Sequence, residues 1–367
     1  MTNQTSNFPI PAGEITVQIR IIDTTARIGK LPLTFLMKPA LESLEFMPTL
    51  PSWSFLIEHP SGHKAVFDLG MPKNREKLAP QVADDERFND WDIRTPKEVI
   101  DVLEENQVPG SHINTVIWSH WHWDHIGDPS RFPSTTDLIV GPGFMKNFYP
   151  GYPSKVDSPV RESDFRGRKV IEIGFEDSRR ATTVGDFRAH DFFGDGSFYL
   201  LDTPGHAIGH MGGLARTTTN PDTFIFMGGD LCHHSGQIRP SRFLRIPAQL
   251  SESPFGVQTS RVGRSYEELL LSRTGSTETP FFVPTASQCV SEEDSSNTRR
   301  KVQKADAQEN IWLVYAHDPS LSDVVDFFPS SANSWKEKNW RSKTMWSFLA
   351  DFQVAIKDTT ESVGEVE

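Results

Sequence analysis

Cysteine is nearly missing from this chain. Only Cys232 and Cys289 occur among 367 residues, too few for a disulfide framework, and no Cys-x-x-Cys spacing is present that would make a thiolate zinc site. A reducing compartment fits that usage. Also missing is any apolar run near the roughly 20 residues that a spanning helix needs. The opening MTNQTSNFPIPAG has neither the basic nor the apolar region of a secretory signal. A soluble, cytoplasmic protein with no membrane partner is therefore expected. Lys and Arg number 37 against 49 Asp and Glu, a formal net charge of -12, and no basic run is interleaved with aromatics, so nucleic acid is not an expected partner. The length predicts one large domain with insertions, over 15–356, between an N-terminal tail at 1–14 and a C-terminal tail at 357–367.

Histidine is scarce as well, 12 in the whole chain, yet SHWHWDH at 119–125 gathers three of them with an aspartate. Neutral imidazoles and a carboxylate packed this tightly need something cationic to collect them, and a divalent metal is the usual collector. The surrounding pattern supplies a scaffold. ITVQIRII (15–22) reads as a strand, SWSFLIEHPSGHKAVFDLG (52–70) as a hairpin turning at His59-Pro60-Ser61-Gly62, PKEVIDVLEENQV (96–108) as a helix and NTVIWSH (114–120) as a buried strand. TTDLIV, GSFYLLDTPGH, DTFIFMGGD and NIWLVYAHD add further strands, the last three running into His206, Asp230 and His317. Residues of metal-ligand type thus sit at strand ends, where a rigid scaffold holds loops that stay accessible. The 271–309 segment is polar; it reads as a loop followed by a helix with a solvated face, and no chemistry is assigned to it. KTMWSFLADFQVAI (343–356) reads as an amphipathic helix.

The quoted stretch resembles the H-x-H-x-D-H motif of the metallo-β-lactamase superfamily, and later landmarks follow in that family's order. Here they are His120, His122, Asp124 and His125, then His206 in DTPGH, Asp230 in MGGD and His317 in YAHD, with Asp68 in VFDLG preceding them. The resemblance implies an α/β fold, the αββα sandwich of the metallo-β-lactamase type, with insertions. It also implies two divalent metal ions, zinc being the expected pair: one held by His120, His122 and His206, the other by Asp124, His125 and His317, with Asp230 bridging. Imidazole and carboxylate suit zinc, although Fe, Mn or Co take the same ligands. Such a pair, ~3.5 to 4 Å apart, bridges a hydroxide that attacks a carbonyl. The expected function is a metal-dependent hydrolase opening a lactone or lactam ring, its small-molecule substrate a cyclic ester or amide. Thioester hydrolysis of the glyoxalase II or carrier-protein type and a non-catalytic binding protein on the same fold are the alternatives. The wording of the motifs is most similar to N-acyl homoserine lactonases, and the longer chain looks like a fungal relative of them.

One position departs from that pattern. Three residues beyond the bridging aspartate the bacterial lactonases carry a tyrosine, and this chain has His233. Asp124, Asp230 and His233 are the candidate catalytic residues, Asp230 or His233 assisting protonation of the leaving atom. For His233, contact with substrate or metal-bound oxygen stands beside a role in orienting a ligand. His210 is either an orienter or a packed core residue, His234 structural, Cys232 a small buried filler, and Asp68 an acceptor for a ligand histidine or a loop amide. Trp121 and Trp123 are expected to face away from the metals into the core. With 25 Phe and 9 Trp, an aromatic-lined pocket is expected, and Arg239 or Arg242 would meet either a substrate carboxylate or surface acids.

Overall fold

Alternate residues of short apolar strands point to opposite faces, and here both faces are covered. The computed structural model describes residues 6–176, 179–248 and 262–356. Its first eight strands are β1 (Gln18–Gly29), β2 (Met37–Lys38), β3 (Leu50–Glu58), β4 (Lys64–Phe67), β5 (Asp92–Arg94), β6 (Thr115–Ile117), β7 (Asp137–Val140) and β8 (Val170–Glu172). After them come β9 (Ala181–Val184), β10 (Phe187–Asp191), β11 (Phe198–Asp202), β12 (Met211–Thr218), β13 (Thr223–Met227), β14 (Val283–Pro284) and β15 (Ile311–Val314). One sheet runs β5-β1-β3-β4-β6-β7-β8, a second β15-β13-β12-β11-β10-β9, and β2 pairs with β14.

The two large sheets pack face to face. Ala65, Phe67 and Ile117 of the first meet Leu200, Ile225, Met227, Trp312 and Val314 of the second in one buried cluster. Their sequence neighbours turn outward: Val66 and Val116 pack on Val99, Ile100 and Leu103 of the helix Val99–Glu105. Phe224, Phe226, Ile311 and Leu313 pack on Val302 and Ala305 of the helix Glu292–Asp306. The result is the αββα sandwich that the motifs imply. Ser291 caps the second of these helices, its hydroxyl accepting from Asp294 N at 3.1 Å, and three acidic residues in the first turn favour the positive end of the helix.

The hairpin forms as expected, Glu58 opposite Lys64, with Gly62 at φ +88° supplying a left-handed turn conformation. Other expectations need adjustment. The strand read at 15–22 begins at Gln18 and runs on to Gly29. Residues 6–14, read as part of a tail, are docked: Phe8 is buried with its ring edge on Phe187, and Arg216 Nη2 donates to Pro11 O at 2.7 Å. The tail at 357–367 lies outside the described residues. The C-terminal helix is broken at Trp346 into Trp340–Met345 and a tighter 3-10 segment, Ser347–Phe352. That bend lets Phe352 pack on Phe281 with ring centroids 4.3 Å apart. A helix at Val262–Thr274 was not announced by the pattern. Its Tyr266, Leu269 and Leu270 join Leu33, Leu36, Phe282 and Phe348 in an insertion core, separate from the intersheet one.

Candidate metal centre

Parallel pairing aligns the strand ends that carry the site. Phe67 of β4 lies beside Ile117 of β6, and Met227 of β13 beside Val314 of β15. Asp68, Ser119–His120, Gly228–Asp230 and Tyr315–His317 therefore leave their strands at one edge of the sandwich. Ser119 O accepts from Met211 N at 2.8 Å and joins the two sheets there. β6 ends at Ile117, and a helical turn over Trp123–Ile126 carries Asp124 and His125. Gly229, at φ +54°, lets this loop pass close to its neighbours; a Cβ there would lie 2.9 Å from His210 Nε2.

Asp230 stands between two groups of imidazoles. Its Oδ2 is 3.7 Å from His120 Nε2 and 3.5 Å from His206 Nε2, and His122 Nδ1 is 2.9 Å from His206 Nε2. Its Oδ1 is 3.1 Å from His125 Nε2 and 3.2 Å from His317 Nε2, and Asp124 Oδ2 is 3.5 Å from the latter. All seven sequence-predicted metal residues are thus brought together. They form two sets, His120, His122, His206 and Asp230, and Asp124, His125 and His317. Tetrahedral zinc with Zn–N near 2.0 to 2.1 Å places its ligand atoms roughly 3.3 Å apart, the scale of these separations. His120 Nε2, His125 Nε2 and Asp230 Oδ1 are buried without a hydrogen bond of acceptable geometry. Leaving a buried polar atom unsatisfied costs about 1–3 kcal/mol, and two such ring nitrogens beside one such carboxylate oxygen are what a divalent cation would satisfy.

The far ring nitrogens of four of these histidines are held. His125 Nδ1 donates to Asp68 Oδ2 at 2.8 Å, His206 Nδ1 to Gln288 O at 2.9 Å and His317 Nδ1 to Pro51 O at 2.6 Å, while His120 Nδ1 lies 3.0 Å from Ser119 Oγ. Each contact leaves Nε2 facing the cluster. Asp68 also accepts from Ser119 N at 2.6 Å, so it serves both the histidine and the loop amide. His210 Nδ1 donates to Thr203 O at 2.9 Å and its Nε2 accepts from Asp230 N at 3.0 Å, so the histidine orients the aspartate's own backbone.

Charge divides the cluster in the same way. Burial pushes His120 and His206 well below the ordinary imidazole value and His122 to about 4, so these are neutral donors. Burial also opposes charge on His125 and His317, but the Asp230 carboxylate outweighs it, helped by Asp68 at His125, and both are raised. Burial would raise Asp230, yet His125, His317 and His233 hold it well below the carboxylate range.

Trp121 and Trp123 pack on the buried cluster around Val116 and Trp118 as expected, but they do not turn away from the site. Both line a cavity of about 270 Å³ with His122, His206, Asp230 and His233; Trp121 packs at a tilt on Phe148, centroids 4.7 Å apart, and Trp123 at a tilt on Phe88 at 4.8 Å. Phe35 and Trp91 extend this aromatic wall. The 271–309 segment, given no chemistry from sequence, supplies Gln288 O to His206 and places Ser287 in the wall. His233 also belongs here, its Nε2 3.2 Å from Asp230 Oδ2 and its ring parallel to His317 within 8°. His234 points elsewhere, to Asp351 Oδ2 at 3.0 Å and to Gly236 N. Cys232 is buried among apolar side chains, which push its thiol well above the usual range.

Arg239 does not reach the cavity. Its guanidinium makes a two-pronged pair with Asp306, both contacts 2.7 Å, and donates to Met345 O at 2.8 Å. Both residues are buried, and removing one partner of a buried pair costs about 3–5 kcal/mol. Asp306→Ala is therefore expected to lose about that much stability in denaturant unfolding, with a midpoint no different from the parent contradicting it. Arg242 lies over the Phe243 ring at 4.8 Å and away from the histidine cluster.

The family model of the metallo-beta-lactamase superfamily matches residues 47–215. Over 366 residues the chain is 40% identical to gamma-lactamase FDB1 of Fusarium pseudograminearum, spanning 98% of this chain and 88% of that one. Metallo-hydrolase mfmC of Annulohypoxylon moriforme is 40% identical over 351 residues, 95% of this chain and 90% of its own. Among solved structures, a quorum-quenching N-acyl homoserine lactone hydrolase superimposes with a TM-score of 0.55 at 14% identity, covering 87% of this chain and all of the other. That likeness is one of fold. No helix among the described residues is long and apolar enough to cross a membrane.

Proposed function

This chain belongs to the metallo-beta-lactamase superfamily of hydrolases, and we propose that its reaction is the opening of a lactam or lactone ring at a dinuclear site. The observation that carries the reading is the division of the Asp230 carboxylate, one oxygen toward His120 and His206 and the other toward His125 and His317. His120, His122 and His206 would hold one ion, Asp124, His125 and His317 the other, and Asp230 would serve both. Two divalent ions, zinc suiting these ligands, supply a nucleophile from water at neutral pH and polarise the carbonyl.

The chain's own residues do the rest. His210, with Nδ1–H committed to Thr203 O, accepts from Asp230 N and fixes the angle at which the carboxylate enters the cluster. Its pKa, lowered by burial to about 4, keeps that acceptor lone pair free at neutral pH. His233 faces the cavity beside Asp230 Oδ2, where a ring N–H can meet the leaving nitrogen or oxygen. Trp91, Trp121, Trp123, Phe35 and Phe88 offer flat apolar faces to a small ring and exclude water from it. A cavity of about 270 Å³ falls just under the usual range for drug-sized ligands, about 300–1,000 Å³, which favours a compact cyclic substrate over a long acyl chain. The gamma-lactamase relative supports the lactam side of the reading.

The test is a metal count on purified protein together with turnover of γ-lactams, γ-lactones and linear thioesters. Close to two metals per chain and preferential ring opening are expected; full activity at one metal, or turnover confined to thioesters, overturns the proposal. Within it, Trp121→Ala is expected to raise KM roughly tenfold, the upper range of one aromatic contact, with metal content unchanged and kcat little altered. Unchanged KM would remove Trp121 from substrate contact.

A further inference from the structure

A second cavity, about 730 Å³, opens along the helix Glu292–Asp306, away from the histidine cluster. Its lining reverses the charge of the molecule. The chain carries a net -12, yet Arg242, Arg299, Arg300, Lys301 and Lys304 line this cavity against Asp186 and Glu278. Both acids are already engaged: Asp186 holds Lys304 at 2.6 Å, and Glu278 pairs with Arg245. Among the described residues, no carboxylate lies within ion-pair distance of Arg242, Arg299, Arg300 or Lys301.

Arg299 is the informative one. It is only 9% exposed, and among the described residues its single side-chain hydrogen bond runs from Nη1 to Ser295 Oγ at 2.6 Å. A guanidinium offers five N–H donors. Burial with no acid beside it works against its charge and lowers its pKa. Arg239, also buried, shows how this fold treats such a group when it is satisfied internally, with both prongs on Asp306. Gln237 forms part of the same wall. Its Oε1 accepts from His233 N at 2.7 Å, and its Nε2 is buried without a partner.

We propose that this cavity is a binding site for a small oxyanion, a metabolite bearing phosphate or carboxylate, with Arg299 as its buried anchor and Arg242 and Lys301 at its rim. Guanidinium groups match the paired oxygens of such anions in geometry as well as charge. The site shares no residue with the proposed metal ligands. Gln237 links the two, since it holds the backbone of His233 at the edge of the hydrolytic cavity.

Calorimetric titration of the full chain with inorganic phosphate, glycerol phosphate and succinate, at constant ionic strength set by chloride, tests the proposal. Saturable binding is expected, weakened roughly tenfold by Arg242→Ala and at least as much by Arg299→Met, the scale of one lost charge-assisted contact. Arg242 lies at the rim, so its variant keeps the test informative if Arg299→Met does not fold. Binding should persist in Asp230→Ala, because the metal centre is not the locus. Stronger binding of the phosphates or of succinate names the anion, and either carries the site. No saturable binding of any probe overturns it, as does binding that is lost in Asp230→Ala and untouched by Arg242→Ala.

Discussion

Asp230→Ala is expected to lower kcat/KM for ring opening by more than about 10³-fold and to take bound metal with it. The argument is electrostatic. Among the described residues, Asp230 is the only carboxylate in reach of both imidazole groups, 3.1 to 3.7 Å from the ring nitrogens of His120, His206, His125 and His317. Without it, two cations would face each other across a buried gap without the carboxylate that answers both. Asp230→Asn separates charge from shape: it keeps the volume and one oxygen, so metal content should fall partway while turnover stays near the Ala level. Kinetics close to the parent with two metals bound to Asp230→Ala would show that the bridge lies elsewhere.

The sequence disclosed the site where chemistry is carried by side-chain type at strand ends. His206, Asp230 and His317 each follow an apolar run that folds as β11, β13 and β15, and Asp68 was legible for the same reason. What was misread depends on local backbone. Trp121 and Trp123, at the motif's intervening positions, are expected in the core. The strand ends at Ile117 and a helical turn begins at Trp123, so the period of two no longer applies, and both rings line the cavity while packing on the apolar clusters beside it. The contribution of Gln288 was illegible in principle, because it acts through a carbonyl oxygen that every residue possesses. The helix Val262–Thr274 escaped because Arg264, Glu267 and Glu268 interleave with its buried Tyr266, Leu269 and Leu270. Layer order was implied by the resemblance of the motifs to their family, and the apolar residues on both faces of β13 and β15 agree with it, since only a sheet covered on both sides tolerates them.

His233→Ala should lower kcat by roughly 10²-fold, the loss that follows removal of one donor to charge developing in the transition state, while metal content stays at the parent value. The position favours such a role: Nε2 faces the cavity, 3.2 Å from Asp230 Oδ2, and the ring lies parallel to His317. Its backbone N–H is held by Gln237 Oε1 at 2.7 Å, so the side chain is aimed by a contact that the substitution leaves in place. A competing role follows from the same geometry, since His233, Asp230 and His317 also form a set able to hold an ion. On that account metal affinity falls first and the rate follows it, recovering when metal is supplied in excess. His233→Tyr discriminates further: a phenol donates a hydrogen bond of the same kind but is a poorer zinc ligand than imidazole, so partial rescue of kcat with unchanged metal content identifies donation. Measuring metal and kinetics on the same His233→Ala preparation decides between them, and a loss of metal that fully accounts for the lost rate would exclude the catalytic role.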